Sequence, residues 1–174
     1  MNTAYKAAPT SRKAIADYAR TIRRNMGLEQ TFYFPVMEFL EVVLQEVFPD
    51  MTLEIVAPED MPFKEGETIP GQNKIRIRED VYNAACDGNG RARFTVAHEI
   101  GHFLLHTPDA ISLCRMEEGM KLKPFEDPEW QANTFASELL APAYLITGHT
   151  KQEIMGRCGL SEKAAKVALA KCKQ

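Results

Sequence analysis

The run Arg93-Phe94-Thr95-Val96-Ala97-His98-Glu99-Ile100-Gly101-His102-Phe103-Leu104-Leu105-His106 sets three imidazoles and one carboxylate in a mostly apolar stretch. On an α-helix, residues i and i+4 lie about 40° apart around the axis and about 6 Å along it, so His98 and His102 can aim ring nitrogens at one point. A divalent cation fits such a point. Glu99, about 100° round from His98, falls beside the cation rather than on it. There its carboxylate can take a proton from a water that the cation polarises and return it to a leaving amine. Imidazoles and a carboxylate among Phe94, Val96, Ile100, Phe103, Leu104 and Leu105 are costly unless something pairs with them. The spacing therefore predicts metal-assisted hydrolysis, with Glu99 as the base.

A catalytic zinc ion takes three protein ligands and keeps one place open, so a third ligand must come from elsewhere in the chain. His106 lies more than about 10 Å from His98 along the helix and about 80° round, which is too far. Leu105 stands where a turn-making glycine would be needed to bring a third histidine back. His106 reads as a cap or as a support for a ligand. The segment Glu129-Trp130-Gln131-Ala132-Asn133-Thr134-Phe135-Ala136-Ser137-Glu138-Leu139-Leu140 offers two carboxylates nine residues apart, hence on opposite faces of a helix. Glu129 shares its face with Ala132, Asn133, Ala136 and Leu140, mostly small residues that allow two helices to approach closely. Glu138 shares its face with Gln131 and Thr134, which is expected to be wet. Glu129 is the predicted third ligand, and Asn133, one turn on, a predicted support for one.

The elements that carry these residues are legible in outline. Ile15, Tyr18, Ala19 and Ile22 have helical spacing that closes at Gly27, and a second helix opens after Pro35 with Val36, Phe39, Leu40, Val43, Leu44 and Val47. Alternation over residues 51–56 and in Lys74-Ile75-Arg76-Ile77-Arg78, with a turn at Pro70-Gly71, predicts a short antiparallel sheet of two or three strands with helices on one side. A short helix is predicted for residues 79–86 and a break at Asp87-Gly88-Asn89-Gly90. After the histidine helix comes a connector over 107–127, then a helix capped by Asp127 with Pro128 in its first turn, then a final helix capped by Ser161. The fold class is α+β: a helical part over residues 1–50, a core over 51–142 and a helical piece over 143–174, together one domain of 174 residues.

With a net charge of −3, the chain has no overall pull toward nucleic acid or an anionic membrane. The basic cluster Arg20, Arg23 and Arg24 reads as a solvated helix face, and Lys163, Lys166, Lys171 and Lys173 are too few to make a recognition surface. No apolar run approaches a membrane span or a signal-peptide core, so a cytoplasmic location is expected. Cys86, Cys114, Cys158 and Cys172 show no Cys-x-x-Cys spacing and are expected as reduced thiols. Tyr82, Tyr144 and His149 are candidate groups for stabilising an oxyanion. The strand over residues 74–78 is the expected edge for an extended substrate, and the connector is expected to frame the cleft.

Taken together, the histidine run and Asp127-Pro128-Glu129-Trp130-Gln131-Ala132-Asn133-Thr134-Phe135-Ala136-Ser137-Glu138-Leu139-Leu140-Ala141-Pro142 resemble the ImmA/IrrE family of bacterial and phage zinc metallopeptidases. The likeness covers about residues 73–170 and includes the stretch before the histidine helix and the ending Cys158-Gly159-Leu160-Ser161. It implies a small gluzincin-like domain with one zinc ion on His98, His102 and Glu129 and with Glu99 as the catalytic carboxylate. It also implies a substrate class: helix-turn-helix transcriptional repressors or antitoxins, cut inside the cell. The competing expectation is a metal-containing regulatory protein that acts by binding such a partner with little cleavage.

Overall fold

The computed structural model describes residues 2–116 and 121–172, with backbone alone for residues 2–4 and 113–116. Strand β1 (Asn2–Ala7) leads into helix α1 (Arg12–Asn25), where the Ser11 hydroxyl accepts a hydrogen bond from the Ala14 amide and so caps the first turn. Gly27, at φ 71°, ends the helix as its sequence predicts: the Leu28 amide reaches back to the Arg23 carbonyl at 2.7 Å. Helix α2 covers residues 36–47 and includes a π-helical stretch, Phe39–Val43, that buries Phe39 and Leu40.

Three strands follow, β2 (Thr52–Val56), β3 (Gly66–Ile69) and β4 (Lys74–Arg78), in the sheet order β2-β4-β3. The strand number agrees with expectation, but the sheet is mixed. β3 runs antiparallel to β4, whereas β2 runs parallel to it, with Thr52 opposite Lys74. Alternation with period two specifies which face a side chain occupies and is blind to strand direction, so the parallel pair was not legible. The chain passes from β2 through residues 57–65 to the far edge, then turns through Pro70–Gln72 and a left-handed Asn73 into the centre. Ile75 and Ile77 are fully buried, while Arg76 on the opposite face pairs with Glu54 and Glu67.

Helix α3 (Glu79–Cys86) precedes α4 (Gly90–Leu105), which carries the histidines. The Asn89 side chain caps α4 by accepting from the Arg91 and Ala92 amides at 3.0 and 3.1 Å. Inside the predicted connector lies a strand, β5 (Ile111–Met116), which pairs antiparallel with β1 as a second sheet. Gly119 of that connector, the Cys114 thiol and Lys173 lie outside the described residues. Cys86, Cys158 and Cys172 are free thiols.

Helix α5 (Pro128–Leu140) is capped by Asp127 as expected and is followed by α6 (Ala143–Ile146), α7 (Lys151–Cys158) and α8 (Glu162–Lys171). It packs against α4, α1 and α8 at once. That sandwiching overturns the expected wet face: Gln131, Thr134 and Glu138 are all buried. Glu138 faces Lys171 across 3.1 Å, and Lys171 also donates to the Ala141 carbonyl at 2.8 Å at the end of α5. The period of a helix gives its faces and leaves open which of them a later helix will cover.

A second correction concerns Arg23. It is completely buried rather than solvated, and its guanidinium donates to the Leu139 carbonyl at 2.5 Å and to the Thr31 carbonyl. Arg93 is buried in the same manner, donating to the carbonyls of Phe34, Cys158 and Gly159 at 2.6–3.0 Å. These two side chains donate to carbonyls of the first loop and of the ends of α5 and α7, and so tie these segments together. No helix among the described residues is long and apolar enough to cross a membrane.

Candidate metal centre

Helices α4 and α5 touch where both are thinnest. A Cβ atom placed on Gly101 would stand 3.1 Å from the Cα and carbonyl oxygen of Ala132, so the glycine and the alanine let the backbones meet. The contact sets the start of α5 over the middle of α4. Glu129, in the first turn of α5, comes to lie against both histidines: its carboxylate oxygens are 3.3 Å from His98 Nε2 and 3.2 Å from His102 Nε2. The two Nε2 atoms are themselves 3.0 Å apart.

These three donors form a group that could hold a metal ion, with the ligand atoms all within 4.8 Å of one another. The edges also have a suitable length. Four ligands at about 2.0–2.1 Å from an ion define a tetrahedron with edges of about 3.3 Å, and the two nitrogens and one oxygen are a donor set that zinc accepts. The lone pairs point inward for a chemical reason. His98 Nδ1 lies 3.1 Å from the Asn133 side-chain oxygen and His102 Nδ1 lies 2.9 Å from His106, which leaves both Nε2 atoms toward the common point. The neighbouring His102 and His98 rings hold the Glu129 carboxyl well below its ordinary range, so it is ionised. Burial lowers His98, but Glu129 and Glu99 outweigh it and its net shift is upward.

Glu99 lies on the neighbouring face of α4, buried, and desolvation raises its carboxyl above the ordinary value. Its partner is Thr68 of β3, whose hydroxyl lies 2.7 Å from Glu99 Oε2. Gly66, two residues earlier, makes the space: a Cβ there would stand 2.8 Å from Glu99 Cγ. His106 caps α4, its amide donating to the His102 carbonyl, and is completely buried. Burial pushes its imidazole down to about 4, so the ring is neutral.

A cleft of about 730 Å³ opens beside His102 and Glu129 and is lined by Glu67, Thr68 and Ile69 of β3, by Tyr5 of β1 and by Ile111 at the start of β5. The connector residues 108, 111, 122 and 127 do frame it. The expected substrate edge is corrected here: β4 is the central strand with both sides paired, and β3 is the edge strand that faces the cleft. The three candidate oxyanion groups do not line this cleft and have packing or surface partners instead. Tyr82 donates to Glu41 at 2.6 Å, which pushes its phenol up to about 12, Tyr144 donates to the Glu29 carbonyl, and His149 packs on Phe32 beside Arg157. Tyr5 is the phenol that lines the cleft.

Residues 66–169 match the model of the Peptidase M78 family, described as the IrrE N-terminal-like domain. The chain belongs to this family. No curated protein matches it. The M78 match begins at the first residue of β3 and ends within α8, so it takes in Gly66, Thr68, the histidine helix and Glu129. The family is metallopeptidase-like, which agrees with a site able to hold a cation between α4 and α5. Tyr5 and helix α1 lie outside the match. Thr68, Gly66 and Gln131 were not singled out by sequence, because a single hydroxyl, a missing Cβ and a buried amide have no periodic signature.

Proposed function

We propose that this M78 protein is a zinc-dependent endopeptidase in which His98, His102 and Glu129 hold one zinc ion and Glu99 moves the proton. The observation that carries the reading is the approach of the two Nε2 atoms and the Glu129 carboxylate to 3.0–3.3 Å of one another, with a buried carboxylate beside them. A zinc ion held there would supply Lewis acidity to a water and to the carbonyl under attack. Glu99, with its carboxyl raised by burial, accepts the proton from that water and delivers it to the departing amine. Thr68 holds one oxygen of Glu99, leaving the other free for proton transfer.

An extended peptide adds to the open edge of β3, where main-chain hydrogen bonds give affinity with little demand on sequence. The natural substrate is a helix-turn-helix repressor or an antitoxin, following the family resemblance, and the setting is intracellular. The test is incubation of zinc-loaded protein with such a repressor encoded beside it, followed by mass spectrometry. Discrete fragments that vanish with a chelator are expected; intact repressor held in a stable complex would instead favour action by binding.

Gly66→Ala probes how Glu99 is held. The added methyl group meets Glu99 Cγ at 2.8 Å inside a buried pocket, so the carboxylate must move. Displacement of a catalytic group by about 1 Å costs on the order of 10²-fold in rate. The variant should lose that much in kcat and bind zinc as the wild type does. A wild-type kcat would show that Glu99 does not work from this position.

A further inference from the structure

A chain of four polar contacts runs from the proposed zinc site to the far side of α5, and each link fixes the next. The Gln131 side-chain nitrogen lies 2.9 Å from the Ala8 carbonyl and 2.9 Å from the Phe125 carbonyl. Both partners can only accept, so the NH₂ group must face them and the amide cannot be turned over. Its oxygen, 3.0 Å from His106 Nε2, is therefore an acceptor, and His106 carries its proton on Nε2. A neutral imidazole with Nε2 protonated presents a lone pair at Nδ1. That lone pair lies 2.9 Å from His102 Nδ1, which must in turn be the donor. The remaining nitrogen, His102 Nε2, is then the one free to face the ion. His106 and Gln131 are both buried, so the link between them is shielded from water.

We propose that Gln131 and His106 are positioning residues that set the tautomer of His102, and that the polarity of the relay originates in two backbone carbonyls, one just after β1 and one just before α5. The inference rests on the zinc reading of the site and adds to it a part of the chain outside the M78 match. Residues 8–10 are laced to the same place, since the Ala8 amide donates to the Ala110 carbonyl at 2.8 Å and the Thr10 amide to Phe125 at 2.9 Å. The segment just after the amino-terminal strand is thereby part of the site's support.

The relay makes a spectroscopic statement that a purely structural role does not. In isotope-labelled, zinc-loaded wild-type protein, nuclear magnetic resonance should show a scalar coupling between His102 Nδ1 and His106 Nδ1 across their hydrogen bond, with the proton attached to His102. In Gln131→Met, which fills the same volume without the amide, the coupling should weaken and zinc affinity fall by about 10–100-fold, the usual cost of losing an outer contact to a ligating histidine. A proton attached to His106 Nδ1, no coupling in the wild type, or a folded Gln131→Met with unchanged affinity and coupling would each overturn the proposal. Failure of the wild type to take up zinc would overturn the reading of the site instead, and the same coupling, measured on metal-free protein, would still decide the relay.

Discussion

Glu99→Gln is expected to lower kcat for peptide hydrolysis by about 10²–10⁴-fold, the range that a positioned general base contributes. The amide has nearly the same shape as the carboxylate, and its oxygen can still accept from Thr68, so α4 and β3 should pack unchanged. What it loses is basicity: an amide oxygen cannot take a proton from water at neutral pH. Glu99 lies beside the three inward-facing donors and is no part of that group, so zinc affinity should match the wild type. KM should change little, because the proton moves only on the way to the transition state. Steady-state kinetics with a fragment-forming substrate, together with zinc titration by a competing chelator, separates the two quantities. Wild-type kcat in this variant, with zinc bound, would remove Glu99 from the reaction.

Glu129→Ala should act on the other quantity and weaken zinc binding on the order of 10³-fold, well beyond the 10–100-fold of an outer contact. Its side chain is largely exposed at 68%, so removing it leaves no cavity and the fold should persist. The two histidines then face each other with no carboxylate ligand between them. Thermal unfolding reads this directly. Zinc at a thousand times its dissociation constant adds about 4 kcal/mol to the wild type, and at the same concentration the variant should gain almost nothing. Glu138→Gln is the contrast. Glu138 pairs with buried Lys171, so its loss should lower stability with and without zinc by the same amount. A metal response in Glu129→Ala equal to that of the wild type would transfer the third ligand elsewhere.

The amino-acid sequence by itself determined how the metal-facing residues sit within one helical turn. His98 and His102 share a face because they are four residues apart, Glu99 sits beside them because it is one residue on, and Ser11, Asp127 and Ser161 cap helices because their side chains reach the next free amides. The stripe of small residues on the face of Glu129 correctly marked where α4 and α5 approach. Only the tertiary structure decided what covers each face. Burial of Gln131 and Glu138, which lie on a face that looks polar in sequence, follows from α8 and from the segments around Ala8 and Phe125 closing over α5. Strand direction, too, was settled by long-range pairing, because alternation is the same in a parallel and an antiparallel partner; hence β4 became the centre of the sheet and β3 its open edge. The supports of the site, Thr68 on Glu99 and Gln131 on His106, join residues 31 and 25 positions apart. Contacts of that separation are made by packing, which no local period encodes.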